Sequence, residues 1–270
     1  MLELKYNKLQ EILREMKTVV IAFSGGVDST FLLKAALDTL GRENVLAITA
    51  DSETYPFEEL QEAFKLAEQL GARHEVIQTS ELSIPGYSEN TSNRCYFCKK
   101  SLFEHLVPIM EERNYNNVVF GLIADDLGEH RPGTKAAREY NVRGPLQEAD
   151  LYKSEIREMS QQMGLPTWDK PSFACLSSRI AYGEHITIEK LKKIDKSEQA
   201  IRAIGIRQVR VRTHGEIARI EVEPQEMQRL LENHQEITAK LQEFGYTYVT
   251  MDLIGYKSGS MNKVLQEVER

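Results

Sequence analysis

The chain contains one tryptophan, three cysteines and no apolar run long enough to cross a bilayer as a helix. Three cysteines make no even disulfide set, which leaves thiols, ligands or core residues as their uses. Basic residues are in the minority: 34 Lys and Arg against 41 Asp and Glu leave a net charge of −7. That argues against non-specific nucleic-acid binding through overall charge, while leaving room for a local basic groove. The opening MLELKYNKLQEILREM alternates charge with Leu and Ile and lacks the apolar core of a signal peptide, so the cytoplasm is the expected location. No internal repeat or low-complexity tract stands out. The composition that remains, 41% apolar and 28% charged over 270 residues, is that of a globular chain with room for one large domain or two modest ones.

The most informative stretch is the apolar run Val19-Val20-Ile21-Ala22-Phe23 followed by Ser24-Gly25-Gly26-Val27-Asp28-Ser29. A helical pattern then starts at Thr30 and Phe31 and runs to Leu40. This reads as a buried strand, a tight turn and a helix. Adjacent glycines let the backbone turn sharply and leave amide groups uncovered. The hydroxyls of Ser24 and Ser29 and the free N–H groups of the helix start complete an anion cradle suited to phosphate. A Walker A loop would carry Lys where Asp28 stands; an Asp beside phosphates suits a divalent cation. An ordinary βα turn is the bland alternative.

Further along, Asn44–Ser52, His74–Thr79 and Asn117–Gly121 read as strands, alternating with helices over Pro56–Leu70 and Lys153–Met163. The alternation predicts a mostly parallel α/β sheet with crossover helices. Ligands bind such sheets beyond the carboxyl ends of the strands, where Ser24, Asp28, Asp51 and Ser52 fall. Residues 80–98 read as a loop, followed by a helix from Leu102, and the stretch around Asp125, Asp126, Glu129, His130 and Arg131 reads as a charged loop at the same sheet end. Residues 134–147 show no assignable element. From Thr187 the pattern resets to a helix, a β-hairpin over 207–223, a helical stretch broken near Asn233-His234 and a last strand over 246–251. The expected organisation is an α/β domain over 1–166, an active-site segment and linker over 167–186, and a small α/β domain over 187–270 for substrate binding and oligomerisation.

Cys95-x-x-Cys98 and the distant Cys175 leave several readings open: three ligands of an iron–sulfur cluster, a zinc site with a fourth ligand, a nucleophilic or sulfur-donating Cys175, or inert buried thiols. Arg210 and Arg212 alternate on one hairpin strand and would form a clamp for phosphate or carboxylate, with Glu221 on the paired strand holding them or binding a cation; a solvated sheet face is the alternative. Together with Lys170 and Arg179 they would make a small-anion pocket. His130, His185 and His214 show no metal-site spacing.

The Ser-Gly-Gly-Val-Asp-Ser loop resembles the signature of the PP-loop ATP pyrophosphatases, with an adenine nucleotide alpha hydrolase-like fold. Asn93-Arg94-Cys95, Gly121 with Asp125-Asp126 and Arg131-Pro132-Gly133, and Lys170-Pro171-Ser172-x-Ala174-Cys175-Leu176-x-Ser178-Arg179 are similar to one subgroup, the ATP-dependent sulfur transferases that build the nickel-pincer nucleotide of lactate racemase. The resemblance covers nearly the whole chain. It implies ATP and Mg²⁺, a pyridinium-3,5-biscarboxylic acid mononucleotide as substrate, an acyl-adenylate, release of pyrophosphate and formation of a thiocarboxylate. It also implies that Ser24, Gly25, Gly26, Asp28 and Ser29 hold phosphates. Asp51, Ser52 and Gly121 would line the nucleotide site, and Arg94 and Asp125 the reaction site. Arg179, Arg210 and Arg212 would bind substrate, with Glu221 in a cation or phosphate network.

In single-cysteine members the residue matching Cys175 gives up its own sulfur and becomes dehydroalanine. The presence of Cys95 and Cys98 resembles a three-cysteine variant in which a [4Fe-4S] cluster on Cys95, Cys98 and Cys175 delivers sulfide. Homo-oligomers, hexamers among them, and a separate sulfur-supplying protein are further implications; nucleic acid and membrane are not expected partners. A tRNA thiolation enzyme, an amide-forming ligase and a non-catalytic nucleotide-binding module are the rivals. The first would normally need a broad basic surface, which a net charge of −7 argues against.

Overall fold

The computed structural model describes residues 2–127, 132–172, 174–257 and 259–262. Glu129, His130 and Arg131 of the expected charged loop lie outside them. The chain forms two compact units, one built from residues up to Glu81 with Cys95–Ser172, the other from Leu82–Arg94 with the residues that follow Ser172. The chain therefore passes between units after Glu81, after Arg94 and after Ser172.

In the first unit, helix α1 (Leu2–Met16) precedes β1 (Val19–Ala22), α2 (Val27–Leu40), β2 (Val45–Asp51), α3 (Phe57–Gln69) and β3 (Arg73–Gln78). After the excursion into the second unit come α4 (Arg94–Glu112), β4 (Asn117–Phe120), α5 (Pro132–Glu139), α6 (Pro145–Glu148) and α7 (Lys153–Gln162). The four strands lie in the order β3-β2-β1-β4 and every pair is parallel. The period-two side-chain alternation of β1 divides the core. Val19 and Ile21 pack with Leu9 of α1, Phe31 of α2 and Ile156 of α7. Val20 packs on the other face with Phe103 and Leu106 of α4 and Ala136 of α5. The chain moves outward from β1 to β3 and then returns to the far side of β1 as β4, so the topological switch falls between β1 and β4. Crevices in open parallel sheets form there, beyond the strand carboxyl ends.

Two assignments differ from the sequence expectation. α4 starts at Arg94, not near Leu102, so Cys95 and Cys98 are helical residues. α5 occupies a stretch with no assigned element. Polar, charged or small residues dominate α5 and interrupt the first turns of α4, which hides the 3.6-residue period there.

In the second unit, α8 (Ile188–Ala203) is capped by Thr187, whose hydroxyl accepts the Lys190 N–H. β5 (Val209–His214) and β6 (Ile217–Val222) form the expected antiparallel hairpin. α9 (Met227–Glu232) and α10 (His234–Glu243) are separated at Asn233, and β7 (Tyr248–Met251) pairs with β6 in parallel. Ile201, Val211, Ile220, Leu230 and Leu241 join in one core. Residues 82–94, read within the first domain on sequence grounds, cluster with this unit. Buried Tyr87 donates to the Ser177 hydroxyl at 2.9 Å, Asn90 donates to the carbonyls of Ile180 and Ala181, and the Ile186 N–H donates to the Ser88 carbonyl. Among the described residues, no helix is long and apolar enough to cross a membrane.

Candidate active site

The loop between β1 and α2 is braced from several sides. Gly25 has φ +61°, and a Cβ there would lie 3.0 Å from Ala63 of α3, so both backbone conformation and space demand glycine. Gly26 is the N-cap of α2. The Ser24 and Ser29 hydroxyls are 3.1 Å apart and the Ser24 N–H reaches the Ser29 hydroxyl at 3.3 Å. The Ser24 carbonyl accepts the Tyr55 hydroxyl at 2.7 Å, and the Gly25 carbonyl accepts the Lys170 ammonium at 3.1 Å. Because a trans peptide sets its N–H opposite its C=O, each tied carbonyl turns the next amide the other way. Burial, with Glu59 and Glu62 adding to it, raises the Tyr55 hydroxyl well above its ordinary range, so it stays a donor.

Asp28 sits in the first turn of α2, and both its oxygens lie 2.7 Å from Nζ of Lys153 at the start of α7. Sequence reading did not nominate Lys153. It is 125 residues from Asp28, and only the Lys153 start of a helical pattern was visible. The Lys153 backbone N–H donates to Asp125 at 2.7 Å, so Asp125 caps the helix that presents this lysine. Gly121, just past β4, closes on the same place: a Cβ there would meet the Ser29 nitrogen at 3.1 Å and the Asp28 Cβ at 3.2 Å. Asp51 ends β2 with its carboxylate accepting Gln78 at 2.8 Å, and the Ser52 hydroxyl is 3.3 Å from that of Thr54. The parallel sheet thus brings Ser24, Asp28, Asp51, Ser52 and Gly121 to one edge of the first unit.

Cys95 and Cys98 lie one helical turn apart at the start of α4, neither of them in a disulfide, and Cys95 is exposed. Glu81, nearly buried and not foreseen from sequence, accepts from Thr54 at 3.3 Å and from the Cys98 thiol at 3.9 Å. Cys175 is likewise outside any disulfide and belongs to the second unit. Among the described residues, no group of three or more His, Cys, Asp or Glu side chains is gathered as a metal site.

Arg210 and Arg212 are buried, so the solvated-face alternative does not hold for them. Arg212 donates twice to one oxygen of Glu221, at 3.0 and 2.7 Å; Arg219 and Ser260 reach the other oxygen at 3.1 and 3.0 Å. Both oxygens of Glu221, a candidate cation ligand on sequence grounds, are thereby engaged. Arg210, on the same strand face as Arg212, stacks near Tyr256 at 5.3 Å. Burial and the neighbouring Arg179 pull its pKa down to about 10, an environment where added negative charge would be welcome.

Arg179, expected in a small-anion pocket, is instead engaged within the second unit. Its side chain and that of Glu198 are each 1% exposed and are joined by two bonds of 2.9 and 3.0 Å. Burial opposes both charges, and their mutual attraction holds Arg179 above and Glu198 below the ordinary values. Arg179 also donates to the carbonyls of Ala174 and Cys175, so it shapes the backbone around the third cysteine. Lys170 is spent on Glu59 and Glu62 of the first unit. Arg94 is buried in the second unit, bonded to Asn90 and the Ser177 carbonyl and facing the Tyr182 ring.

The NAD synthase family model matches residues 3–95, the stretch containing the loop and the first three strands. An uncharacterized protein of Synechocystis sp. is 46% identical over 98% of this chain and 99% of its own length. The pyridinium-3,5-bisthiocarboxylic acid mononucleotide synthase of Lactiplantibacillus plantarum is 38% identical over 98% of this chain and 96% of its own. An uncharacterized protein of Methanocaldococcus jannaschii is 32% identical over 94% and 98%. With a parallel sheet, a glycine-bearing loop at its central strand and relatives alignable end to end, the chain is an ATP-utilising PP-loop enzyme and belongs to the family of the pyridinium-3,5-bisthiocarboxylic acid mononucleotide synthases.

Proposed function

We propose that the protein activates a carboxylate of a pyridinium-3,5-biscarboxylic acid mononucleotide with ATP and converts it to a thiocarboxylate. The substrate carboxylate attacks the α-phosphorus, pyrophosphate leaves, and sulfur then displaces AMP from the acyl carbon. The observation that carries this reading is the loop at 24–29, whose carbonyls are drawn off by Tyr55 and Lys170 beside the Asp28–Lys153 pair. Its amides and the hydroxyls of Ser24 and Ser29 bind the phosphates; Lys153 supplies positive charge to the departing pyrophosphate. A carboxylate that already holds an ammonium with both oxygens fits a Mg²⁺ ion as well, and bound there the metal would neutralise phosphoryl oxygens. Arg210 and Arg212 grip the substrate phosphate, with Glu221 fixing the Arg212 fork. Orientation of the carboxylate against the α-phosphorus is the task left to Arg94 and Asp125.

In this reading Cys95, Cys98 and Cys175 would hold a [4Fe-4S] cluster. Three cysteine sulfurs outside any disulfide, two of them a helical turn apart, are the right donor chemistry for it. When bound, the cluster supplies transferable sulfur and spares the protein from consumption. Homo-oligomeric assembly belongs to the same reading, supported by exposed Tyr248, Leu253 and Ile254 in and just after β7, as does a separate protein that refills the sulfur. Mg-ATP and the mononucleotide should together yield pyrophosphate and a product heavier by the exchange of oxygen for sulfur, read by mass spectrometry. Pyrophosphate formation that does not depend on the mononucleotide would refute the substrate. About four irons per chain, lost on replacing any one cysteine, would support the cluster. No iron after anaerobic reconstitution would transfer the donor role to Cys175 itself.

A further inference from the structure

Lys170 lies two residues before the chain leaves the first unit at Ser172. Its side chain is 10% exposed and its ammonium has three acceptors: Gly25 O at 3.1 Å, Glu59 at 2.7 Å and Glu62 at 2.8 Å. An ammonium has three protons, and these contacts occupy them all. The backbone of the same segment is held from the other side. Arg157 of α7 donates to the Trp168 carbonyl at 2.6 Å and to the Lys170 carbonyl at 2.8 Å, and the Lys170 N–H closes a turn on Thr167.

The carbonyl that Lys170 grips belongs to the Gly25–Gly26 peptide. Planarity of that peptide points the Gly26 N–H away from Lys170, and a charged donor on the oxygen polarises the amide into a better donor. An anion bound on the Gly26 N–H therefore pulls on the group that anchors the 167–172 strap. Ala63, 3.0 Å from the place of a Gly25 Cβ, prevents the loop from shifting unless α3 moves with it. An ion pair with Glu59 and Glu62 alone would account for the charge of Lys170, but not for its bond to a loop carbonyl.

We infer that Lys170 is a positioning residue coupling nucleotide occupancy of the 24–29 loop to the strap at 167–172, and so to the chain that reaches Cys175 five residues later. The inference rests on the nucleotide reading of the loop. Trp168, the sole tryptophan, is partly exposed and sits in the strap, so its emission reports on the coupling without a label. In the full chain, Mg-ATP should change Trp168 emission saturably, with the same midpoint as ATP uptake in equilibrium dialysis. Lys170→Met should still take up ATP, with Kd raised by no more than about tenfold, yet lose at least about four-fifths of the emission change; Lys170→Arg should keep it. An unchanged emission response in Lys170→Met would overturn the coupling and leave nucleotide binding standing. No ATP uptake by the parent chain would overturn both. Should Lys170→Met fail to fold, hydrogen exchange on the parent decides: ATP-dependent protection of the 167–170 amides supports the coupling, and its absence overturns it.

Discussion

Replacing Glu198 by Gln keeps the size and much of the hydrogen-bonding shape of the side chain but removes its charge. Both partners of the Arg179–Glu198 pair are 1% exposed, and Glu198 also accepts the Val211 N–H at 3.0 Å. Removing one charge leaves the Arg179 guanidinium buried without its carboxylate, a change that typically costs about 3–5 kcal/mol. In a unit of this size, each kcal/mol moves the midpoint by roughly 4–8 °C, so the second unit should melt at least ~12 °C lower. The loss should be local. Exchange of the Val211 amide should accelerate, and alkylation of Cys175 should quicken, because Arg179 is bonded to the carbonyls of Ala174 and Cys175. The double variant Arg179→Met/Glu198→Leu removes both charges and should recover a large part of the loss, giving a coupling above about 2 kcal/mol. Thermal unfolding followed by exchange mass spectrometry on peptides from each unit measures both quantities. A Glu198→Gln loss below about 1 kcal/mol, or a double variant no better than the sum of the singles, would refute the reasoning.

Other substitutions test the site more directly. Lys153→Met should lower pyrophosphate release by about 10²-fold, as loss of a single charge-stabilising donor does elsewhere, with little change in melting temperature; a loss below about threefold in a steady-state assay would remove it from the machinery. Arg212→Ala should raise KM for the mononucleotide much more than KM for ATP, and equal effects on both would argue against a substrate clamp. Gly25→Ala should cost about 1–3 kcal/mol and weaken nucleotide binding, since φ +61° and the contact with Ala63 both reject a side chain; calorimetry with and without ATP reads it. His74 has its Nε2 2.8 Å from the Thr49 hydroxyl, and Phe23 and Phe64 are edge-on to its ring. Burial lowers its pKa, so the unfolded chain takes up the proton first and stability falls as pH drops below the ordinary value near 6.5. The difference in melting temperature between pH 7.5 and 5.5 should shrink in His74→Gln.

Much of the fold was legible because it follows local periodicity. The apolar run 19–23, the switch to helical spacing after Ser29, and the alternation over 209–222 each carry their period within a few turns or residues. The loop itself was legible for the same reason, since adjacent glycines and flanking serines sit within six positions. The start of α4 was not, because Arg94, Cys95, Tyr96 and Cys98 show no apolar repeat; tertiary packing of Phe103 and Leu106 further along sustains that helix.

What the sequence by itself determined was the parallel α/β frame, the glycine-bearing turn at its central strand, the hairpin that carries Arg210 and Arg212, and the cysteine spacing. What only the tertiary structure decided was how the charges are partnered. Lys153 meets Asp28 across 125 residues, Lys170 meets Gly25 across 145, and Arg179 spends its charge on Glu198 rather than on an open anion site. The physical reason is that a periodic pattern is written by neighbours in sequence, whereas an ion pair depends on three-dimensional distance and on burial, neither of which exists until the strands have paired and the helices have closed over them.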